Sequence, residues 1–162
     1  MQKLEIATFG GGCFWGIEES FRALKGVTKT TSGYMGGKNK NPSYEQVCSD
    51  TTGHVEVVQV EFDPIQISYE QLVTGFWSLI NPTTPNRQGF DVGTQYRSVI
   101  FYHSNEQKKI AIKSKEELEK SGKYKSKIVT AIEPAQQFFA AEDYHQKYYL
   151  KHGMEGKQCN IF

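Results

Sequence analysis

The sequence has few cysteines, almost no net charge and no long apolar run, and each shortage excludes a class of protein. Three cysteines, Cys13, Cys48 and Cys159, in 162 residues are too few, and odd in number, for a disulfide-stapled secreted fold. They fit a reducing compartment with chemistry at one or two of them. Lys and Arg number 19 against 18 Asp and Glu, a formal net charge of +1. That balance gives no electrostatic case for nucleic acid, a membrane surface or a polyacid as partner. No apolar run approaches the length of a membrane span. The opening residues, Met1 to Ile6, lack the apolar core of an export signal, so a cytoplasmic location is expected. No repeat and no linker-like segment is present, and residues 1–162 are expected to form one catalytic domain with a real core. Metal-ligand spacings are also missing. No pair among Cys13, Cys48, His54 and Cys159 has the short C-x₂₋₄-C or H-x₃₋₅-H form. His103, His145 and His152 share no ligand pattern, and His145 and His152 read as surface residues of a last helix. No metal is expected.

What is present is Gly10-Gly11-Gly12-Cys13-Phe14-Trp15-Gly16. A strand-like run, Leu4 to Phe9, precedes it and a helix-like run, Ile17 to Leu24, follows, with Gly26 as C-cap. A cysteine at a helix start meets unpaired N–H groups and the positive end of the helix dipole, which favour thiolate. A thiol of pKa about 8.5 is only about 3% ionised at pH 7, and lowering that value to about 7 makes it roughly half ionised. The glycines let a substrate approach closely, and two aromatic side chains flank the sulfur. The alternative is a buried cysteine in a glycine turn. The phosphate-loop and dinucleotide fingerprints do not fit this spacing.

Further along, residues 28–53 are rich in Gly, Ser, Thr and Asn and read mainly as a long loop with a short strand near Thr28 to Tyr34. His54 to Phe62 alternates as a strand. One of its faces carries His54, Glu56, Val58, Val60 and Phe62. Ser68 and Gln71 form a capping box for a helix whose apolar stripe is Leu72, Phe76, Leu79 and Ile80. Residues 81–93 form a second long loop, Thr94 to His103 reads as a strand, and Ser104 with Gln107 opens a helix toward Gly122. Ile128 to Glu133 is a last strand, and Ala140 to Leu150 a short aromatic-rich helix. The tail, residues 153–162, reads as irregular and mobile. This order predicts an α+β fold with helices packed on a mixed or antiparallel sheet; a doubly wound α/β fold also satisfies it.

Four further groups could carry chemistry. Glu56 shares a strand face with three apolar side chains. Burial there would raise its pKa and make it a proton donor, whereas an edge strand would leave it in water. Tyr44 and Tyr96 can donate a phenol hydroxyl while their rings wall a pocket; either is equally a core or surface tyrosine. Cys159, behind Gly153 and Gly156, can reach a sulfenic acid formed elsewhere, or be an idle terminal thiol. Cys48 reads as a buried structural thiol.

The motif Gly12-Cys13-Phe14-Trp15-Gly16 resembles the active-site signature of the methionine sulfoxide reductase A family, the peptide-methionine (S)-S-oxide reductases. The likeness continues through Ser32-Gly33-Tyr34-Met35-Gly36-Gly37, Asn41-Pro42-Ser43-Tyr44-Glu45-Gln46-Val47-Cys48 and Thr52-Gly53-His54-Val55-Glu56. It resumes in Arg87-Gln88-Gly89, in Asp91-Val92-Gly93-Thr94-Gln95-Tyr96-Arg97-Ser98 and in Ala141-Glu142-Asp143-Tyr144-His145-Gln146. The resemblance implies a ferredoxin-like α+β core and reduction of methionine S-sulfoxide, protein-bound or free. It places the nucleophile at Cys13, the methyl-binding wall at Phe14 and Trp15, and the proton donor at Glu56. The hydroxyls that hold the departing oxygen fall at Tyr44 and Tyr96, and a substrate-positioning role at Asp91. It further implies a resolving cysteine at Cys159, thioredoxin (or dithiothreitol) as reductant, a monomer, and no metal or organic cofactor. Cys48 lies in a matching block, yet usually not at a recycling position. A thiol peroxidase and a zinc-binding or sulfoxide-recognition module are the competing readings of the same cysteines.

Overall fold

A computed structural model describes residues 3–154. Strand β1 (Glu5–Gly10) leads into helix α1 (Phe14–Arg22), β2 (Val27–Met35), the short α2 (Tyr44–Cys48), β3 (Val55–Phe62) and α3 (Tyr69–Leu79). A small hairpin, β4 (Arg87–Gln88) and β5 (Asp91–Val92), precedes a 3-10 turn at Thr94–Tyr96, β6 (Val99–Tyr102) and α4 (Asn105–Lys120). Then come β7 (Ala131–Pro134), β8 (Phe139–Ala140), a second 3-10 turn at Asp143–His145 and α5 (Tyr148–Lys151). Six strands form one sheet in the order β7-β6-β1-β3-β2-β8. Every neighbour pair is antiparallel except β6 with β7, which run parallel. This mixed sheet, with helices packed on it, agrees with the expected fold class. Among the described residues no helix is long and apolar enough to cross a membrane.

The main core lies between one sheet face and helices α1 and α3. Phe14, Ile17 and Phe21 of α1 meet Leu72, Val73 and Phe76 of α3 over Ala7, Phe9, Val58, Val60 and Phe62 of the sheet. Phe9 sits at its centre, stacked between Phe21 and Phe76 at 5.0 Å from each. Stacked aromatic pairs of this kind add about 1 kcal/mol each to their area burial. The opposite face holds a smaller cluster, Met35, Val55, Val57, Val99 and Phe101, closed by Ala131, Ala135 and Phe138. Strand β3 is therefore covered on both faces and flanked by β1 and β2. An interior strand has no edge through which Glu56 could reach water.

Several expectations need correction. The stretch 28–53 is less of a loop than expected: the strand read near Thr28 to Tyr34 is present and runs over Val27–Met35, β2, because pairing with β3 and β8 supports it despite its polar composition. It also holds α2, capped by Ser43 and Gln46 with the same reciprocal capping box that opens α3. The expected strand Thr94 to His103 begins only at Val99, and Tyr96 lies on a 3-10 turn. The expected helix Ala140 to Leu150 is a two-residue strand, a 3-10 turn and one helical turn. Its backbone is diverted because Ser32 and Gln146 bond reciprocally: the Ser32 N–H donates to Gln146 Oε1, and Gln146 Nε2 to the Ser32 carbonyl, both at 2.9 Å. Lys147 then takes a left-handed conformation, φ +52°. Cys48 is exposed rather than buried, since it ends a short surface helix. His145 is fully buried rather than on the surface. The tail with Cys159 lies outside the described residues from 155 onward.

Candidate active site

Cys13 is the N-cap of α1, half-buried and in an extended conformation, φ −63° and ψ 124°. The turn that delivers it requires Gly12. That residue has φ +85°, and a Cβ there would stand 2.8 Å from Cβ of Gln88. The Gly12 N–H donates to the Tyr96 carbonyl at 3.1 Å, which fixes the cysteine turn against the 3-10 turn of Tyr96. Gln88 is in turn locked by its side chain to the backbone of Asn81, accepting its N–H at 2.9 Å and donating to its carbonyl at 2.7 Å. The hairpin of β4 and β5 thus becomes a fixed wall of the site.

Glu56 stands at the other side of the cysteine turn and is 1% exposed. Its Oε1 accepts the Phe14 N–H at 3.3 Å, so the carboxyl occupies the start of α1 beside Cys13. Its Oε2 is buried with no hydrogen-bond partner. Burial pushes the Glu56 pKa up to about 8; the Phe14 N–H opposes the rise and the Asp91 carboxyl adds to it. The group is therefore largely an acid at neutral pH, with one oxygen left for a ligand. A buried polar atom without a partner costs about 1–3 kcal/mol, a price that function can explain.

The tyrosines close the cluster. Tyr96, half-buried, lies within electrostatic reach of Glu56, Cys48, Asp91 and Cys13. Tyr44 faces Glu56 and Tyr96, and its hydroxyl is hydrogen-bonded to the Cys48 thiol on the same short helix. Burial, more than the neighbouring charges, raises both phenol pKa values well above the usual range, so both remain hydroxyl donors. Burial also raises the Asp91 carboxyl, and partial desolvation of the otherwise exposed Cys48 raises its thiol against the opposing Tyr44 hydrogen bond. The loops that carry the tyrosines are tied together by Asp50, whose Oδ1 accepts the Thr94 N–H at 3.0 Å and the Thr94 hydroxyl.

Phe14 is 1% exposed and belongs to the main core, while the half-buried Trp15 packs on that core from outside. The indole of Trp15 stacks on Tyr148, with centroids 3.7 Å apart and planes at 5°. It also donates its Nε1–H to His145 Nδ1 at 2.9 Å. Structure thus brings Cys13, Phe14, Glu56, Tyr44, Tyr96 and Asp91 to one place. Sequence reasoning passed over His145, which its place in the block from Ala141 to Gln146 could have marked. It also passed over Glu142, which accepts the Tyr34 hydroxyl and the Tyr44 N–H at 3.0 Å each. Among the described residues no group of three or more His, Cys, Asp and Glu side chains is placed to hold a metal ion.

Comparison with known proteins gives the arrangement a family. Residues 5–161 match the family model described as peptide methionine sulfoxide reductase. The chain is 58% identical to the peptide methionine sulfoxide reductase MsrA of Methanoculleus marisnigri over 158 residues, 98% of this chain and 95% of that protein. Its fold is similar to the crystal structure of Mxr1 from Saccharomyces cerevisiae in reduced form, with a TM-score of 0.89 and 37% identity over 98% of this chain and 91% of the other. Mxr1 in complex with Trx2 is also similar, with a TM-score of 0.64 and 28% identity over 90% of this chain and 85% of the other. The chain belongs to the peptide methionine sulfoxide reductase family of oxidoreductases.

Proposed function

We propose that this protein reduces methionine S-sulfoxide, protein-bound or free, to methionine by way of Cys13. The Cys13 thiolate attacks the sulfoxide sulfur. Glu56 gives its proton to the departing oxygen, which Tyr44 and Tyr96 orient. Phe14 and Trp15 form the apolar wall for the methyl group, and Asp91 helps position the substrate. The protonated oxygen passes to the Cys13 sulfur as the bond between that sulfur and the methionine sulfur breaks, so methionine leaves and Cys13 carries a sulfenic acid. The Cys159 thiol then attacks that sulfur, water leaves, and a Cys13–Cys159 disulfide remains. Thioredoxin, or dithiothreitol in vitro, reduces it and supplies the two electrons that the sulfoxide consumed. The protein would thereby repair oxidised proteins.

The observation that carries this reading is Glu56: a buried, neutral-prone carboxyl at the start of α1 beside Cys13, with one oxygen unpartnered. A chemistry in which an oxygen must leave as water needs such an acid, and a simple thiol nucleophile does not. The solved complex of Mxr1 with Trx2 supports thioredoxin as the reductant. The succession β1-α1-β2-β3-α3-β6 with neighbour order β6-β1-β3-β2 supports a ferredoxin-like reading of the core, within a single catalytic domain. The deciding experiment is turnover of a defined peptide methionine S-sulfoxide with dithiothreitol. Wild-type protein should convert the S epimer only, stopping near half conversion of a racemate. Full activity in Cys13→Ser would end the proposal.

A further inference from the structure

His145 has a feature that the proposed chemistry does not use. Its ring is 0% exposed. Ring centroids of Phe14, Trp15, Tyr44 and Tyr144 lie 5.1, 5.7, 4.4 and 4.1 Å from it. The Trp15 indole N–H can only donate, so Nδ1, which accepts it at 2.9 Å, carries no proton. The proton of the neutral ring is therefore on Nε2, a buried atom with no hydrogen-bond partner. The backbone that presents this ring is held independently of it. Gln146 is locked to Ser32, the His145 N–H donates to the Glu142 carbonyl at 2.9 Å, and Glu18 accepts the Lys147 N–H at 2.7 Å.

Stacking on Tyr148 fixes the plane of the Trp15 indole but lets the ring slide and turn within that plane. A directed N–H···N bond removes that freedom. We propose that His145 is a positioning residue, one that sets the orientation of Trp15 only while its imidazole is neutral. This rests on the reading of Trp15 as the substrate methyl wall. An imidazolium would place an N–H on Nδ1 against the indole N–H, two donors facing each other, inside a cage of rings. The bond would be lost and the wall would loosen.

The direction of the pH effect follows from the surroundings. Burial lowers the pKa of His145 below its ordinary 6.5, and the Glu142 carboxylate opposes this. The phenols facing the ring, Tyr44 from α2 and Tyr144 beside it, are neutral throughout the acidic range. Glu45 and Cys48 act from α2 on Tyr144, Glu18 binds the backbone of Lys147, and Glu56 binds the backbone N–H of Phe14. The imidazole is thus neutral at physiological pH and takes its charge only on acidification.

The test is the indole N–H resonance of Trp15 in a ¹⁵N-labelled protein, followed by NMR from pH 8 to 5. The chain has two tryptophans, and Trp77, whose Nε1–H donates to Ser114, is the internal reference. Wild-type protein should show one titration step at Trp15 with a midpoint below 6.5, and none at Trp77. His145→Gln offers an amide oxygen that accepts without titrating and should abolish the step. His145→Phe fills the cage without an acceptor. It should raise KM for a peptide sulfoxide about tenfold, the value of one lost hydrogen bond, with kcat changed less than threefold; His145→Gln should recover most of that loss. A pH-independent Trp15 resonance in wild-type protein would overturn the proposal without needing any variant to fold. So would unchanged KM together with an unchanged indole resonance in a folded His145→Phe. Absence of sulfoxide turnover in wild-type protein would overturn the proposed function, and the indole titration would still report on His145.

Discussion

The Glu56 carboxyl accepts the backbone N–H of Phe14 at 3.3 Å across 42 residues of sequence, joining the interior of strand β3 to the first turn of helix α1. The bond leaves Oε2 buried and without a partner. The acid and the cysteine turn are thus built as one unit, and the first expectation concerns its chemistry. Glu56→Ala should slow sulfenic acid formation about 100-fold or more in single-turnover assays. In wild-type protein kcat/KM should fall as pH rises through about 8, because the proton to be donated is then lost. Glu56→Gln should lack that alkaline limb.

The same burial makes Glu56 a stability determinant. Below pH 4.5, its ordinary value, the carboxyl is protonated in folded and unfolded chains alike. Between there and about 8 the unfolded chain ionises first, so the stability tied to Glu56 declines as pH rises and is fully lost above the folded value. Glu56→Gln should therefore exceed wild type in urea-derived stability at pH 9, by up to about 5 kcal/mol, with the difference vanishing near pH 4. A constant difference across that range would contradict the assignment.

Glu18, on α1, is a further buried carboxyl, 1% exposed. It accepts the Thr30 hydroxyl at 2.8 Å, the Ser32 hydroxyl at 3.1 Å and the Lys147 N–H at 2.7 Å. Glu18→Ala leaves two buried hydroxyls and the half-buried Lys147 N–H without their acceptor and should cost about 3 kcal/mol. Because one of these donors anchors the segment carrying His145, KM should rise as well. Chemical denaturation and steady-state kinetics on the same sample would show both effects.

Gly12→Ala should harm both folding and rate. The left-handed φ of +85° and the 2.8 Å approach to Gln88 predict a loss of about 1–3 kcal/mol. Displacing the Cys13 turn by about 1 Å would lower kcat about 100-fold. Thermal unfolding and a dithiothreitol-coupled assay check the two parts.

The recycling step is expected to run through Cys159. Mass spectrometry after one turnover without reductant should find a Cys13–Cys159 disulfide. Cys159→Ser should instead leave a sulfenic acid on Cys13, trapped by dimedone, and should lose turnover with thioredoxin. A Cys13–Cys48 bridge would show that the exposed thiol beside Tyr44 is the true partner.

Much of the site is legible from local pattern. A glycine run between a strand and a helix marks Cys13, and alternation over residues 54–62 puts Glu56 with Val58, Val60 and Phe62, as the core shows. Capping signals fixed the starts of α3 and α4, and the same signal at Ser43 and Gln46 was there to find α2. A strand near Thr28 to Tyr34 is legible within its polar stretch, and only the extent of β2, Val27–Met35, came from pairing on both sides, which asks for no strong propensity. Helical spacing of aromatics after Ala140 misled for a related reason. The reciprocal bonds of Gln146 to Ser32 lie 114 residues apart, and no local pattern registers them.

By itself the sequence determined the kinds of chemistry available and their local setting: a cysteine at a helix start, a carboxyl in an apolar strand, and tyrosines on polar loops. Those follow from dihedral preferences and periodicity, which act over a few residues. Only the tertiary structure decided that β3 is interior, so that Glu56 is buried and protonated rather than solvated. Only the tertiary structure put Tyr44, Tyr96 and Asp91 around one cysteine and turned His145 inward against Trp15. Strand order and long-range hydrogen bonds set these meetings, and desolvation, the force that tunes Glu56 and His145, exists only once the chain has closed around them.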